Sequence, residues 1–136
     1  MNFTKKIEFK LDGMVTPEDL AQLFKESGLN RPIDDLSRLQ KMIEGADLTI
    51  TAWDRGKLVG AARAITDFSY CCYLSDLAVT KEYQKLGIGK ELVGLVQEQI
   101  GEEVTLLLLS SPIAMEYYPR IGFDTVKNGF IIPRKK

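Results

Sequence analysis

Residues 5–11 (KKIEFKL) alternate charged and apolar side chains, the period of a strand with one buried face. The following TPEDLAQLFKESG changes to helical spacing. Thr16 is placed to cap, Pro17 suits the first helical position, and Asp19 stands where a capping-box acid would. Leu20, Leu23 and Phe24 form the apolar stripe, and Gly28 stops the helix. A second helix is expected from about Asp34, with Leu36, Leu39, Met42 and Ile43 on one face and Gly45 at its end. LTITAWD and KLVGAARAIT then flank Arg55-Gly56 as a hairpin, and YCCYLSDLAV follows as the third strand of an antiparallel meander.

Residues 88–100 carry the clearest helical pattern in the chain. Ile88, Leu92, Val93, Leu95, Val96 and Ile100 fill one arc, with Lys90, Glu91, Gly94, Gln97 and Glu98 opposite. VTLLLL (104–109) is a continuous apolar run, as expected of a central strand covered on both faces. A short helix from Pro112 to about Tyr118 and a terminal hairpin in FDTVKNGFII, turning at Asn128-Gly129, complete the pattern. A strand, a crossover helix and another strand require at least one parallel pair in a mixed sheet. The expected class is α/β (α+β), in one domain over residues 1–136.

Composition narrows the chemistry. At 136 residues, with 45% hydrophobic and 27% charged side chains, the chain reads as an ordinary globular protein. A net charge of −1 provides no global field for nucleic acid, and no apolar stretch is long enough for a membrane span or a secretory h-region. A cytoplasmic location without nucleic-acid or membrane partners is the expectation. There is no histidine, which removes Ser-His and Cys-His mechanisms, an imidazole base and a His-bearing metal site. Adjacent Cys71 and Cys72 suit neither a disulfide framework nor zinc, and are read as buried strand thiols. No metal is expected.

One segment stands out against this background. YQKLGIGKEL (83–92) leads from a strand into the best helix. Such a turn aims several backbone N–H groups at one point, where the helix dipole adds to them, so it suits phosphate. Gly87 and Gly89 permit close approach, and Lys85 and Lys90 add charge at the rim. It is a poor NTP-binding P-loop, because one residue separates the glycines and Glu91 follows Lys90. It is equally poor as a dinucleotide fingerprint, since Leu92 occupies the third glycine position and the preceding strands form a meander. A turn needed only for tight strand-to-helix passage is the remaining structural alternative.

LAVTKEYQKLGIGKEL resembles the acetyl-CoA-binding signature of the GNAT superfamily of N-acetyltransferases, in which an L-x-V strand end leads through Q/R-x-x-G-x-G/A into a helix. The matching residues are Leu77, Ala78 and Val79, then Gln84, Gly87 and Gly89. AMEYYPRIGF is similar to the second hallmark, A-x-x-x-Y-x-x-x-G-F, through Ala114, Tyr118, Gly122 and Phe123. The resemblance implies the GNAT fold, with a mixed sheet of about six to seven strands and four helices.

It also implies site residues. The turn Gln84, Lys85, Leu86, Gly87, Ile88, Gly89 and Lys90 would cradle the CoA pyrophosphate, and the main chain of Leu77, Ala78 and Val79 would pair with the pantetheine arm. Tyr118 would protonate the departing thiolate; a phenol with a pKa near 10 can donate to a sulfur near 8.5 as charge develops. Where family members often carry an asparagine after the strand matching VTLLLL, this chain has Ser110-Ser111-Pro112, and Ser111 is a candidate for the equivalent cofactor contact. The acceptor pocket would draw on the first two helices and the terminal hairpin, including Phe24, Arg31, Trp53, Phe68, Tyr70 and Phe130. Arg31-Pro32 is read as a helix-entry turn in preference to a carboxylate-binding position.

The implied activity is transfer of acetyl from acetyl-CoA, a co-substrate, to a primary amine of a small molecule or peptide by direct attack in a ternary complex. An alkylammonium near pKa 10 must first lose its proton, and Asp76 is the nearest carboxylate by sequence, although a structural role is preferred for it. An acyl-enzyme route is disfavoured because no histidine activates Cys71 or Cys72. A non-catalytic acyl-CoA sensor or interaction module is the alternative, and Tyr118 argues against it. RNA or DNA binding through Lys85, Lys90 and Arg134-Lys135-Lys136 fails on overall charge. The acceptor and the oligomeric state stay open, a homodimer included.

Overall fold

The structure, a computed structural model, describes residues 6–136. The alternating segment forms β1 (Ile7–Lys10); the strand's expected start at Lys5 lies outside the described residues. Helix α1 (Pro17–Ser27) begins as its sequence requires: the Thr16 hydroxyl accepts the Asp19 N–H at 3.1 Å, and Pro17 occupies the first turn. Helix α2 (Leu36–Gly45) is capped by Asp35, whose carboxylate accepts the Arg38 N–H. Strands β2 (Leu48–Asp54) and β3 (Lys57–Thr66) follow. Both Arg55 and Gly56 have positive φ, the primed turn that matches strand twist in two-residue hairpins. Strand β4 (Cys71–Val79) completes the meander.

A 3-10 turn (Lys81–Leu86) then leads into α3 (Ile88–Ile100), which crosses over to β5 (Thr105–Leu107). The sheet order is β1-β2-β3-β4-β5, antiparallel except for the parallel β4–β5 pair demanded by the crossover. Helix α3 buries Ile88, Leu92, Val93, Val96 and Ile100 against one face of the sheet, with Ile50, Val59 and Leu74 among the residues it meets. Helices α1 and α2 cover the other face with Leu20, Leu23, Phe24 and Leu39 over Leu58, Ala61 and Ala78. Each fully buried leucine or phenylalanine contributes about 1.5–3 kcal/mol, so these two layers hold the meander rigidly between them.

Four expectations are corrected. Five strands form among the described residues, where six to seven were expected, because FDTVKNGFII makes no hairpin. A two-stranded ribbon is marginal unless it has an edge to join, and β5 offers only three residues. Phe130 and Ile132 are accordingly 99% and 97% exposed. For the same reason VTLLLL is an edge strand, with Leu107 and Leu109 exposed, and is not covered on both faces. The expected helix from Pro112 is split into a 3-10 turn (Pro112–Ala114) and a short α4 (Tyr117–Arg120). Finally, only Cys72 is buried; Cys71 is exposed, as strand alternation dictates for neighbours.

Candidate active site

The site arises where β4 and β5 part. Their pairing is confined to Cys71–Tyr73 against Thr105–Leu107, so β4 from Leu74 to Val79 has β3 on one edge and no strand on the other among the described residues. The Thr80 N–H donates to the Val59 carbonyl, which places the Gly60–Val79 pair between ladder bonds. The peptide groups of Leu77 and Val79 therefore point to the open edge. There the Gln84 amide donates to the Val79 carbonyl at 2.9 Å and the Arg31 guanidinium to the Ser75 carbonyl at 2.7 Å. Leu77 lies between them, its N–H and C=O turned to that edge and away from β3.

A cleft of about 780 Å³ opens along this edge, walled by β4, the loop after α1, the turn before α3 and residues 108–120. That size suits a small-molecule site. Leu77, Ala78, Val79, Gln84, Lys85, Gly89, Ser111 and Tyr118 all line it. Leu86, Gly87, Ile88 and Lys90 do not, and the Ile88 side chain is buried in the core, so any contribution it makes is through its main chain. No aspartate or glutamate is among the lining residues, whereas Arg31, Lys85 and Arg120 are.

The turn before α3 leaves backbone donors exposed at the start of the helix. Gly87 caps α3 at φ +82°, and no side chain caps the helix; the first intrahelical bond runs from the Glu91 N–H to the Gly87 carbonyl. The N–H groups of Ile88, Gly89 and Lys90 thus have no intrahelical partner at the positive end of a 13-residue helix. A Cβ on Gly87 would meet nothing within 4 Å, so Gly87→Ala is expected to cost only the left-handed backbone penalty, about 1–2 kcal/mol, as a lowered urea midpoint. At Gly89 the constraint is space: a Cβ would lie 2.5 Å from the Tyr117 hydroxyl. The preceding 3-10 turn is anchored by Tyr83, whose buried hydroxyl donates to Asp54 at the end of β2.

Tyr117 and Tyr118 divide the cleft. Tyr117 stands over the turn at Gly89, a contact that the hallmark spacing did not single out. Tyr118 packs edge-to-face on Phe123, with ring centroids 5.5 Å apart, and on Tyr117 at 5.2 Å. Burial pushes the Tyr118 phenol above its usual pKa, with Tyr117 adding to the rise and the Arg31 charge opposing it. Of the six acceptor-pocket residues expected from sequence, Arg31 alone lines the cleft. Phe24 is wholly buried in the α1–α2 core, Trp53 packs against that cluster, and Phe68, Tyr70 and Phe130 are exposed elsewhere.

Arg31 is also more than a helix-entry residue. Its Nε donates to Asp76 Oδ1 at 2.6 Å, and Arg63 Nε donates to Asp76 Oδ2. Asp76 is 1% exposed and both oxygens are engaged by guanidinium groups, which gives it the structural role and removes it as a base facing the cleft.

The acetyltransferase (GNAT) domain profile matches residues 19–131. The chain belongs to the GNAT acetyltransferase family. It is 28% identical over 145 residues to an uncharacterized N-acetyltransferase ycf52 of Pyropia yezoensis, covering 95% of this chain and 82% of that protein. A probable acetyltransferase from Staphylococcus aureus superposes with a TM-score of 0.79 at 24% identity, over 95% of this chain and all of the other. An aminoglycoside N-acetyltransferase, AAC(6')-Iy, in complex with CoA superposes with a TM-score of 0.72 at 17% identity, over all of this chain and 99% of its own. In this GNAT chain the parted strands, the uncapped α3 and the two tyrosines meet in one cleft.

Proposed function

We propose that this chain, as one N-acetyltransferase domain over its length, moves an acetyl group from acetyl-CoA to a primary amine by direct attack in a ternary complex. The observation that carries the reading is the open edge of β4 running from the uncapped amides of α3 to the Tyr118 phenol. The residues present fit acetyl-CoA. Ile88, Gly89 and Lys90 would hold its pyrophosphate through their N–H groups, with Lys85 at the rim and Gln84 fixing the end of β4. Leu77 and Val79 would pair with its pantetheine arm as a further strand would. Ser111, across the cleft, would supply a further polar contact.

When bound, acetyl-CoA supplies the acyl group as an activated thioester. Tyr118 would hold its proton on Oη and give it to the departing sulfur, a general-acid role worth about 10²–10⁴ in rate. With no carboxylate among the lining residues and Asp76 doubly paired, the amine would lose its proton to water. Because burial raises the Tyr118 pKa above 10, the phenol keeps its proton through the whole working range. The kcat/KM profile is therefore expected to rise with pH along one limb, set by the acceptor amine. A descending limb below pH 9 assigned to Tyr118 by its loss in Tyr118→Phe would contradict this.

The direct test is titration of acetyl-CoA into the protein, followed by thiol release across an amine panel. Binding lost on Gly89→Ala, whose Cβ would crowd the Tyr117 hydroxyl, supports the turn; failure to bind CoA at saturating concentration rejects the reading. Tight binding without turnover on any amine would favour the sensor module instead.

A further inference from the structure

Charge is unevenly distributed in the cleft: of its three lining cations Arg120 pairs with Glu116, and the other two lie at separate places. Lys85 sits by the phosphate turn. Arg31 sits at Ser75, four residues up β4 from Val79 and so roughly 13 Å from the turn at the rise of an extended strand. It shares the wall of the cleft with Tyr118.

Two guanidinium groups share one carboxylate there. Asp76 neutralises one of Arg31 and Arg63, and the cluster retains one positive charge. Arg63 is the more buried member and reaches Asp76, the Ser75 hydroxyl and the Met42 carbonyl. Arg31, with its side chain 26% exposed, faces the cleft. It spends three N–H groups, on Asp76, the Asn30 carbonyl and the Ser75 carbonyl, and two of its five have no partner among the described residues. The fork is thus pre-positioned by three bonds, with donors left over, in a wall that contains no carboxylate.

We infer that Arg31 binds an anionic group on the acceptor, so that the substrate is an amine that also carries a carboxylate, as in an amino acid or a peptide terminus. The inference rests on the acetyltransferase reading above. A guanidinium held in this way suits a carboxylate, which it can meet with a charge-assisted N–H bond. Its surplus charge at the reacting end repels polyamines, whose several ammonium groups would find no acidic partner in the lining.

The experiment compares matched acceptors with the full-length protein: free amino acids and dipeptides, the same molecules as C-terminal carboxamides, and a polycationic aminoglycoside. The free acids are expected to exceed their amides roughly 10- to 100-fold in kcat/KM, the worth of one charge-assisted hydrogen bond, with the difference mostly in KM. Arg31→Gln should bring acid and amide to within about a factor of three while the Kd for acetyl-CoA stays that of the parent. Asp76 retains Arg63 in this variant, and the acid–amide comparison in the parent protein stands even if the variant folds poorly. Amides or the aminoglycoside turned over as well as the free acids would overturn the inference and leave the acetyltransferase reading intact. So would a CoA-binding protein that acetylates none of the acids. Loss of CoA binding in the parent would instead remove the underlying reading.

Discussion

Asp76→Ala is expected to lower the unfolding free energy by about 3–5 kcal/mol, because it leaves two guanidinium groups facing one another without their shared anion. Arg31 can turn toward the cleft and recover water, but Arg63, with its side chain 10% exposed, cannot. For a chain of this size the loss corresponds to a fall in Tm of roughly 10–20 °C. Chemical denaturation read by circular dichroism measures it directly. Replacing Asp76 and Arg63 together by leucine and methionine should recover most of the loss, since packed apolar side chains substitute well for a buried pair. A single-variant loss below about 1 kcal/mol would show that water screens the cluster as it does surface pairs. The result also separates two roles, because a base facing solvent would give a stable, slow enzyme, whereas a structural anion gives an unstable one.

That cluster marks where sequence reasoning reached its limit. Local order was readable because local forces set it: the Thr16 cap, the Arg55-Gly56 turn and the 88–100 stripe each depend on residues within one or two turns of one another. The glycine turn before α3 was readable for the same reason, its glycines and the following helix being contiguous. Arg31 and Asp76 are 45 residues apart, and only the packing of the loop after α1 on the bulged part of β4 joins them. No periodicity in the sequence reports that contact. The terminal hairpin failed in the opposite direction. Val126 and Phe130–Ile132 have strand composition, but composition cannot say whether an edge exists to receive them, and the three residues of β5 do not suffice.

The same division decides what Tyr118→Phe must do. The change removes one oxygen and keeps the ring, so the edge-to-face contacts with Phe123 and Tyr117 persist and stability should change by less than about 1 kcal/mol. If the phenol carries the proton to the leaving sulfur, kcat falls about 10²–10⁴-fold while the Kd for acetyl-CoA stays within about threefold of the parent value. Tyr117→Phe is the internal control, because its hydroxyl stands over Gly89 at the turn and its loss should be read in cofactor affinity before turnover. Poorer leaving groups depend more on a proton donor. The deficit in Tyr118→Phe should therefore shrink when the thioester carries a more acidic thiol, whose departure needs less assistance. Unaltered turnover in the variant would reduce Tyr118 to a packing aromatic, and the acid would then have to be water entering beside Arg31.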